Sequence, residues 1–512
     1  MSFLLTLIQA AGLGCASAAA GRRVMHYLQL ESYQLPGYIK SVKRNAMRAL
    51  IPPIAMAAVG VAALKVSGLF GLALLLEALT ATLLAWQAAK EKAKKPFVAT
   101  ERVKRLTAVH AAVNTVLALI LLLISPTLGY LMPAFEPALL MLAAPMEKHI
   151  AGQFVKDAQA RLAAQPNLIK IGITGSYGKT STKFLLRDIL SVKYNVLATP
   201  SSFNTTMGVT RVIREQLTPA HQVFIAEMGA RHVGDIRELV ELVHPQMGLI
   251  TSVGPQHLDT FGTIERVRDT KYELIDGLPK DGTAIFARDG AICEELFDRC
   301  PLEKKFKPGM LVDAKNMACG PWGTRFTLVD IQTGEEANCQ TRLLGEHSIS
   351  NLLLCCTAAR ALGMTLPEIA LGVSHCQPVE HRLELLDGGA GVSIIDDAFN
   401  ANPVGAQCAL RVIKAFPGRR IIITPGMVEL GGKEDEFNRT FGKQMADSVD
   451  IAILVGRKHT QPIVEGLKEA GFPQENPYVV GSLEESTTLL HSMMRAGDVV
   501  LYENDLPDNY SE

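Results

Sequence analysis

The sequence has no excess of charge of either sign and no recognisable cysteine pattern. Its 512 residues carry 51 Lys and Arg against 51 Asp and Glu, so composition gives no electrostatic reason to expect nucleic acid as a partner. Nine cysteines are scattered without any C-x-x-C, which argues against a zinc knuckle or a disulfide framework and favours reduced thiols in the cytosol. There is no internal repeat, and 48% hydrophobic with 20% charged residues exclude a disordered chain.

Hydrophobic residues are concentrated near the amino terminus, in runs that approach the roughly 20 residues a helix needs to cross a bilayer. The strong runs are Ala49 to Leu64, Val66 to Trp86 and Ala108 to Ile124, and the weaker ones are Phe3 to Ala20 and Gly129 to Met146. We therefore predict an all-α transmembrane module of about five spans over residues 1–150. Arg22 and Arg23 follow the first run, an order that does not fit a cleaved leader. Buried helices of a soluble domain are the alternative.

Two of the segments between these runs are basic. Their cations are Lys40, Lys43 and Arg44 in the first segment, and Lys92, Lys94, Lys95 and Arg102 in the second. Since basic connections stay in the cytoplasm, five spans with the amino terminus outside place everything after Glu147 inside. We expect a multi-pass protein of the cell membrane, with the lipid bilayer as a partner and no nucleic acid.

From Asn167 onward, short β-branched runs alternate with longer amphipathic stretches. Examples of these runs are residues 168–173, 223–226, 248–253, 392–395, 421–424 and 451–455. Such alternation indicates an α/β region with parallel sheets that are covered by helices on both faces. We predict a charged linker helix over 151–166, a central domain over 167–342 and a C-terminal domain over 343–512.

A glycine loop lies between a predicted strand, 169–173, and a predicted helix, 183–190. It reads Thr-Gly-Ser-Tyr-Gly-Lys-Thr-Ser over residues 174–181. Glycines let backbone N–H groups approach phosphate oxygens, and the helix N-terminus supplies positive potential. The predicted nucleotide-binding residues are Gly175, Ser176, Gly178, Lys179, Thr180 and Ser181, with Lys179 on the terminal phosphates and Thr180 on Mg²⁺. Ile173 stands where the general phosphate-loop pattern has its first glycine.

This loop resembles the nucleotide loop of the Mur ligases, the ATP-dependent amide-forming enzymes of peptidoglycan precursor synthesis. Further motifs similar to that family follow in order and look most like its D-alanyl-D-alanine-adding branch. They are Thr199-Pro200 with Asn204 and Gly208, Ala226 to Ala230, His257 to Gly262, Gly345 to His347 with Asn351, His381 to Glu384, and Asp396 to Pro403. Together they cover the chain from about Leu168 to its carboxyl end.

The resemblance implies a Mur-ligase-like fold, with a central P-loop ATPase domain and a C-terminal Rossmann-like domain. It implies a bacterial ligase that uses ATP and Mg²⁺ to join D-Ala-D-Ala to a UDP-N-acetylmuramoyl-tripeptide through an acyl phosphate. The membrane module occupies the place of the UDP-gripping domain of soluble members. The alternative is therefore a membrane-anchored ligase whose acceptor is lipid-linked or otherwise lacks UDP, with membrane proteins of wall synthesis as further partners.

Four residues are predicted to be catalytic. Lys179 comes from the loop, and Glu227 ends an apolar strand, where a buried carboxylate requires a cation. We expect Thr180 and Glu227 to hold a first Mg²⁺. The resemblance adds His257 as a ligand of a second Mg²⁺, and it implies that Lys271 is carbamylated by CO₂ and supports this second metal.

The resemblance also implies contacts from the C-terminal domain. His347 and Asn351 are expected beside the adenine, Arg382 on ATP, and Asp397 near the ribose and phosphates. Candidate substrate residues are Asn204, Thr205, Asn400 and Asn402, of which the last two also suit an ordinary turn. The ending Tyr502 to Pro507 departs from the basic ending expected of the soluble enzyme.

Overall fold

The computed structural model describes residues 3–31, 33–90, 97–200, 203–254, 256, 258–320, 322–398, 403–428, 433–457 and 459–504. The chain divides into two compact units, Met1–Gln153 and Phe154–Glu512. We call them the helical unit and the α/β unit. Their secondary structure agrees with the predicted fold class, since all strands of the described residues lie in the second unit.

The helical unit contains seven helices and the beginning of an eighth in its described residues. They are α1 (Phe3–Ala20), α2 (Arg22–Leu30), α3 (Leu35–Arg44), α4 (Ala46–Ser67), α5 (Phe70–Lys90), α6 (Glu101–Ile124), α7 (Pro126–Leu131) and α8 (Glu136–Ala163). Four of them, α1, α4, α5 and α6, have the length and apolar composition needed to cross a membrane. Large apolar side chains on these helices are exposed, as lipid-facing residues would be.

The predicted fifth span, residues 129–146, is not a single helix. The chain there passes from α7 through a short 3₁₀ segment, Met132–Phe135, into α8, which ends only at Ala163. Pro133 lacks a backbone N–H and cannot continue the helical hydrogen bonds, and charged residues appear from Glu136 onward. Four of the five predicted spans are therefore helices long and apolar enough to cross a membrane in the described part of the chain, and the fifth crossing stays a prediction. The predicted linker helix is the last part of α8.

Two clusters of buried side chains lie at different levels of the helical unit. The first, which we call the basic-end cluster, contains Val24, Met25, Leu28, Tyr38, Ala49, Val103, Leu106 and Leu140. The second, the far-end cluster, contains Ala10, Leu13, Ala73, Ala118, Leu122, Tyr130, Met132 and Leu139. Helix α6 contributes Leu106 to the first and Ala118 to the second, two positions that lie about 18 Å apart along the helix at 1.5 Å per residue.

A polar cluster is buried between these helices, around Glu136. Ser17 donates a hydrogen bond to Glu136 at 2.6 Å, Asn114 donates another at 3.3 Å, and His110 Nε2 lies 2.5 Å from the other carboxylate oxygen. All four side chains are at most 1% exposed. A carboxyl group at this depth is tolerated because polar protein side chains enclose it.

The first sheet of the α/β unit is fully parallel. Its strands are β1 (Ile169–Thr174), β2 (Val196–Ala198), β3 (Val223–Glu227), β4 (Met247–Ile250), β5 (Thr283–Phe286) and β6 (Lys304–Phe306), in the order β2-β3-β1-β4-β5-β6. The helices of this region are α9 (Lys179–Leu190), α10 (Thr206–Gln216), α11 (Asp235–Val243), α12 (Leu258–Phe261), α13 (Ile264–Asp276) and α14 (Gly290–Arg299). Separate apolar cores cover the two faces, so strand β1 is buried in the middle.

A three-stranded antiparallel sheet and two helices follow. They are β7 (Val312–Gly320), β8 (Gly323–Asp330), β9 (Glu336–Thr341), α15 (Glu346–Ala361) and α16 (Leu366–His375). Both helices pack into the core on one face of the first sheet, where Leu352 and Ile369 join Leu186 of α9. The domain boundary at residue 343 stays a prediction, because these two helices share the core of the central region.

The second six-stranded sheet is parallel except at one edge. Its strands are β10 (Glu384–Asp387), β11 (Ser393–Asp397), β12 (Arg420–Thr424), β13 (Ile451–Val455), β14 (Pro477–Val480) and β15 (Val499–Glu503), in the order β10-β11-β15-β12-β13-β14, with β10 antiparallel. Its helices are α17 (Pro403–Lys414), α18 (Glu434–Ala446), α19 (Gln461–Glu469) and α20 (Leu483–Met493). Cores on both faces confirm the predicted Rossmann-like architecture.

Candidate active site

The predicted nucleotide loop connects the central strand β1 to helix α9, and its two glycines are required by the geometry. Gly175 has φ +150, and a Cβ there would lie 1.9 Å from Thr251 Oγ1. Gly178 has φ +78, and its Cβ would lie 2.8 Å from Asn351 Oδ1. A side chain at either position would therefore displace the loop from its neighbours. The loop stands at the carboxyl edge of a parallel sheet, where such folds bind ligands.

Lys179 and Ser176 brace the loop through hydrogen bonds. The ammonium of Lys179 donates to the carbonyl oxygens of Gly175 at 2.7 Å and Ser176 at 3.0 Å. The Ser176 hydroxyl donates to the carbonyl of Gly254 at 2.8 Å and accepts from its N–H at 3.0 Å. Burial lowers the pKa of Lys179 to about 8, with Glu227 opposing the shift and Arg382 adding to it.

Glu227 lies at the end of β3, beside the loop, and is 1% exposed. Its carboxylate accepts hydrogen bonds from Thr180 Oγ1 at 3.1 Å to each oxygen, from Lys183 Nζ at 2.9 Å and from Asn204 Nδ2 at 3.2 Å. Strands β1 and β3 are neighbours, and this register brings Glu227 beside the first turn of α9. Thr180 and Glu227 offer hard oxygen atoms that fit Mg²⁺, so the structure brings the two predicted ligands of the first metal together.

Lys183 is the residue that the sequence reasoning missed here. Its side chain is 0% exposed, and its ammonium donates to Glu227 and, at 3.3 Å, to the carbonyl of Pro200. The sequence did carry a signal, because Thr180 and Lys183 are three residues apart and so share one face of a helix. A buried carboxylate requires a cation, and Lys183 is the cation that pairs with Glu227.

Of the candidate substrate residues, Asn204 belongs to the Glu227 environment, whereas Thr205 has a local role. Asn204 binds Glu227 through its side chain, and its carbonyl accepts from the N–H of Gly229 at 2.8 Å. Thr205 caps helix α10 by accepting from the N–H of Gly208 at 3.3 Å. Asn400 and Asn402 lie outside the described residues.

The predicted second-metal residues are only partly described. His257 lies outside the described residues. Lys271, on α13, is 1% exposed, and burial lowers its pKa to about 7, with Lys179 adding to the shift and Asp235 and Glu273 opposing it. Within the described ranges, no three His, Cys, Asp or Glu side chains gather as a metal-binding group. The influence of Lys179 indicates that Lys271 lies on the side of the nucleotide loop.

The second sheet contributes a strained arginine loop and a pair of carboxyl groups. His381 (φ 60) and Leu383 (φ 46), on either side of Arg382, have left-handed backbone conformations, which cost about 1–3 kcal/mol each and often mark functional loops. The N–H of Leu383 donates to Asp397 at 3.1 Å. Arg382 contributes to the lowered pKa of Lys179, which indicates that it lies close to the nucleotide loop.

Asp397 and Glu503 face each other across strands β11 and β15 and share a side-chain hydrogen bond. Burial raises the pKa of Asp397 to about 6. Burial is the largest cause that raises the pKa of Glu503 far above its usual range, and the negative charge of Asp397 is the second. Like charges repel, so simultaneous ionisation of these two neighbouring carboxyl groups is disfavoured. Glu503 was not predicted as a site residue; the only signal was the unusual acidic ending of the chain.

The predicted adenine-side residues lie on the first turns of α15. Asn351 is the neighbour that excludes a side chain at Gly178. Nε2 of His347 is buried and has no hydrogen-bond partner among the described residues, which fits a group that contacts a ligand.

Comparison with known families finds two matching domain types. Residues 173–359 match the Mur ligase middle domain, and residues 381–502 match the glutamate ligase domain of Mur ligases. The helical unit lies outside both ranges.

Curated relatives include UDP-N-acetylmuramoyl-tripeptide–D-alanyl-D-alanine ligases of several bacteria. The enzyme of Mycobacterium leprae is 30% identical over 387 residues, covering 68% of this chain and 73% of the relative. That of Bacillus subtilis is 29% identical over 292 residues, covering 56% of this chain and 62% of the relative. The chain therefore spans less than two thirds of the Bacillus enzyme.

Solved structures share the fold. MurF from Acinetobacter baumannii superposes with a TM-score of 0.62 at 24% identity, covering 70% of this chain and 78% of that one. MurF from Thermotoga maritima in complex with ADP has a TM-score of 0.60 at 23% identity, covering 69% and 80%. At these identities the likeness establishes the architecture of the α/β unit.

Proposed function

Because this chain belongs to the Mur ligase family, we propose that it uses ATP to join the amine of D-alanyl-D-alanine to the carboxylate of a UDP-N-acetylmuramoyl-tripeptide. One observation carries the proposal: at the carboxyl edge of the first sheet, the nucleotide loop lies beside Glu227, which accepts hydrogen bonds from Thr180, and the charge of Arg382 from the second sheet acts on Lys179 of this loop. The curated relatives are named as ligases of this pair of substrates, which supports the proposal.

A carboxylate does not react with an amine in water, because its oxygen is a poor leaving group. In the proposed reaction, an acceptor carboxylate oxygen attacks the γ-phosphorus of ATP and ADP leaves. The amine nitrogen then attacks the acyl carbon of this acyl phosphate, and inorganic phosphate departs with the acceptor oxygen while the nitrogen loses a proton. The main electrostatic requirement is to hold a triphosphate and a carboxylate together.

The chain's own residues meet this requirement with positive charge and backbone donors. Lys179 exchanges the loop carbonyls for the terminal phosphates, and Arg382 adds a second cation from the other sheet. Mg²⁺, when bound by Thr180 and Glu227, supplies further neutralisation of the phosphate charge. Closure of the second sheet over the loop excludes water, which would otherwise hydrolyse the acyl phosphate.

We propose that Lys271 carries a carbamate in the active enzyme and, with His257, supports a second Mg²⁺. Carbamate formation requires the neutral amine, and burial lowers the pKa of Lys271 to about 7. About half of these amines are then neutral at neutral pH, against far fewer for an exposed lysine. The carbamate would supply a carboxylate-like oxygen, which Mg²⁺ prefers.

We further propose that the enzyme is a multi-pass membrane protein with the α/β unit in the cytoplasm. Four spans alone would return the chain to the side of the amino terminus, away from the basic segments. The path after α6 supports one more crossing, because Tyr130 and Met132 belong to the far-end cluster and the following helix, α8, contributes Leu140 to the basic-end cluster. A broken helical segment crosses a bilayer only where protein encloses it, and Tyr130 is 0% exposed.

A second candidate acceptor is a lipid-linked muramyl peptide. The observation that favours it is the helical unit itself, which stands outside the matched family domains and has four membrane-length helices. An enzyme held at the membrane has direct access to a lipid-linked substrate.

The decisive assay uses the purified full-length protein in detergent with ATP, D-Ala-D-Ala and either acceptor, and measures ADP together with the mass of the amide product. We expect product with UDP-N-acetylmuramoyl-tripeptide, transfer of one labelled oxygen from the acceptor carboxylate into phosphate, and no product with Lys179→Met. Product with the lipid-linked acceptor alone would select the second candidate. ADP formation that is independent of both acceptors would contradict both.

A further inference from the structure

A buried ion pair occupies the place where a metal ligand is expected. Lys183 is 0% exposed and Glu227 is 1% exposed, and 2.9 Å separates Lys183 Nζ from Glu227 Oε2. A lysine is almost never fully buried unless it is paired. Because Lys183 is enclosed, it cannot contact a substrate, and its effect on the site passes through Glu227.

Local contacts hold the ammonium in this position. It donates to the carbonyl of Pro200 at 3.3 Å and lies 4.4 Å from the centre of the Phe184 ring. Pro200 and Asn204 belong to one segment, and Asn204 also binds Glu227. The pair therefore connects helix α9, strand β3 and the segment after β2 into one arrangement.

The charges around Glu227 favour an anion over a free cation. The carboxylate contributes one negative charge, which Lys183 balances, and Lys179 adds a positive charge at the loop nearby. Both carboxylate oxygens already accept hydrogen bonds. A divalent cation that arrives alone meets two ammonium groups and, in Glu227, a carboxylate that is already paired, whereas a triphosphate is attracted by the same ammonium groups.

We propose that Lys183 is a positioning residue that serves as the resident counter-ion of Glu227, so that the site takes up its divalent cation only together with the nucleotide. Lys183 keeps the carboxylate neutralised and correctly oriented before the nucleotide arrives. The phosphates then bring the negative charge that makes a second cation favourable. This inference rests on the proposed nucleotide site, but it concerns binding and not amide formation.

The test measures Mn²⁺ binding to the full-length protein in detergent by electron paramagnetic resonance, with and without ADP. Lys183→Gln removes the charge, and Lys183→Arg is the matched control that keeps it. We expect wild type and Lys183→Arg to bind Mn²⁺ weakly without ADP and at least about tenfold more tightly with it, as charge repulsion at this range predicts. We expect Lys183→Gln to bind Mn²⁺ without ADP at least about tenfold more tightly than wild type.

Two results would overturn the proposal. One is equal Mn²⁺ affinity of Lys183→Gln and wild type in the absence of ADP. The other, which needs no variant and so remains decisive if Lys183→Gln fails to fold, is wild-type binding of Mn²⁺ that is as tight without ADP as with it. A protein that shows the expected Mn²⁺ behaviour but makes no amide would contradict the proposed ligase reaction and leave the counter-ion role standing.

Discussion

Replacing Lys271 by methionine should stabilise the α/β unit while it abolishes the ligase reaction. Burial gives Lys271 a pKa of about 7, against a usual value of 10.5. The unfolded state therefore binds more protons than the folded state between pH 7 and 10.5, and the stability of the wild type rises with pH in that window. Methionine has a similar length, fills the same apolar surroundings and does not titrate.

The magnitude follows from the two pKa values. At pH 7 the buried amine costs about 4 kcal/mol of stability, and at pH 9 about 2 kcal/mol, at 1.36 kcal/mol per pKa unit. The free energy of unfolding of Lys271→Met should therefore exceed that of the wild type by about 4 kcal/mol at pH 7. At pH 9 this difference should be smaller by about 2 kcal/mol. Exposed Lys280 offers the matched control, because Lys280→Met should change stability by less than about 0.5 kcal/mol at either pH.

The chain provides its own probe for this measurement. Of its 2 tryptophans, Trp86 lies in the helical unit and Trp322 in the α/β unit, so a Trp86→Phe background makes fluorescence specific for the second. Urea unfolding in detergent and CO₂-free buffer then gives the free energy of unfolding at each pH. The reasoning that burial lowers the pKa of Lys271 would be refuted if Lys271→Met were no more stable than the wild type at pH 7. It would also be refuted if the difference in the free energy of unfolding were the same at pH 7 and pH 9.

Two further predictions concern the nucleotide loop and the buried polar cluster. Gly178→Ala should weaken ADP binding by about tenfold or more, since its Cβ would lie 2.8 Å from Asn351 at a φ of +78. Calorimetry measures this affinity. Adding Asn351→Ala removes the clash but not the unfavourable backbone conformation, so it should restore the affinity only in part. Glu136→Gln should lower the stability of the helical unit by about 2 kcal/mol, because buried donors lose their carboxylate. Glu101, exposed and paired with Lys104, is the control, and an equal loss with Glu101→Gln would contradict the role of burial.

Local patterns in the sequence were sufficient to predict the architecture. The nucleotide loop needs glycines at positions set by the backbone itself, and the structure confirms positive φ at Gly175 and Gly178. Alternating strands and helices required a parallel sheet with two covered faces, and long apolar runs required membrane-length helices. These features depend on interactions among roughly ten to twenty neighbouring residues. The composition of such a stretch and the period of its hydrophobic residues reveal these features directly.

The failures of the sequence reasoning have one physical cause. The sequence showed that Glu227 needs a cation, but it could not show that Lys183 provides it, because that depends on β1 lying beside β3. In the same way, Glu503 pairs with Asp397 only because β15, the last strand, lies beside β11. The buried Glu136 is a similar case, because its partners Ser17 and Asn114 lie far away in the sequence.

The sequence by itself therefore determined which groups are candidates for the chemistry, where the glycine loop lies and which segments are apolar enough for a bilayer. Tertiary structure alone decided which charge faces which. Partner choice depends on strand order and helix packing, which are set by the burial of apolar surface summed over the whole unit and leave no trace in any short stretch of residues.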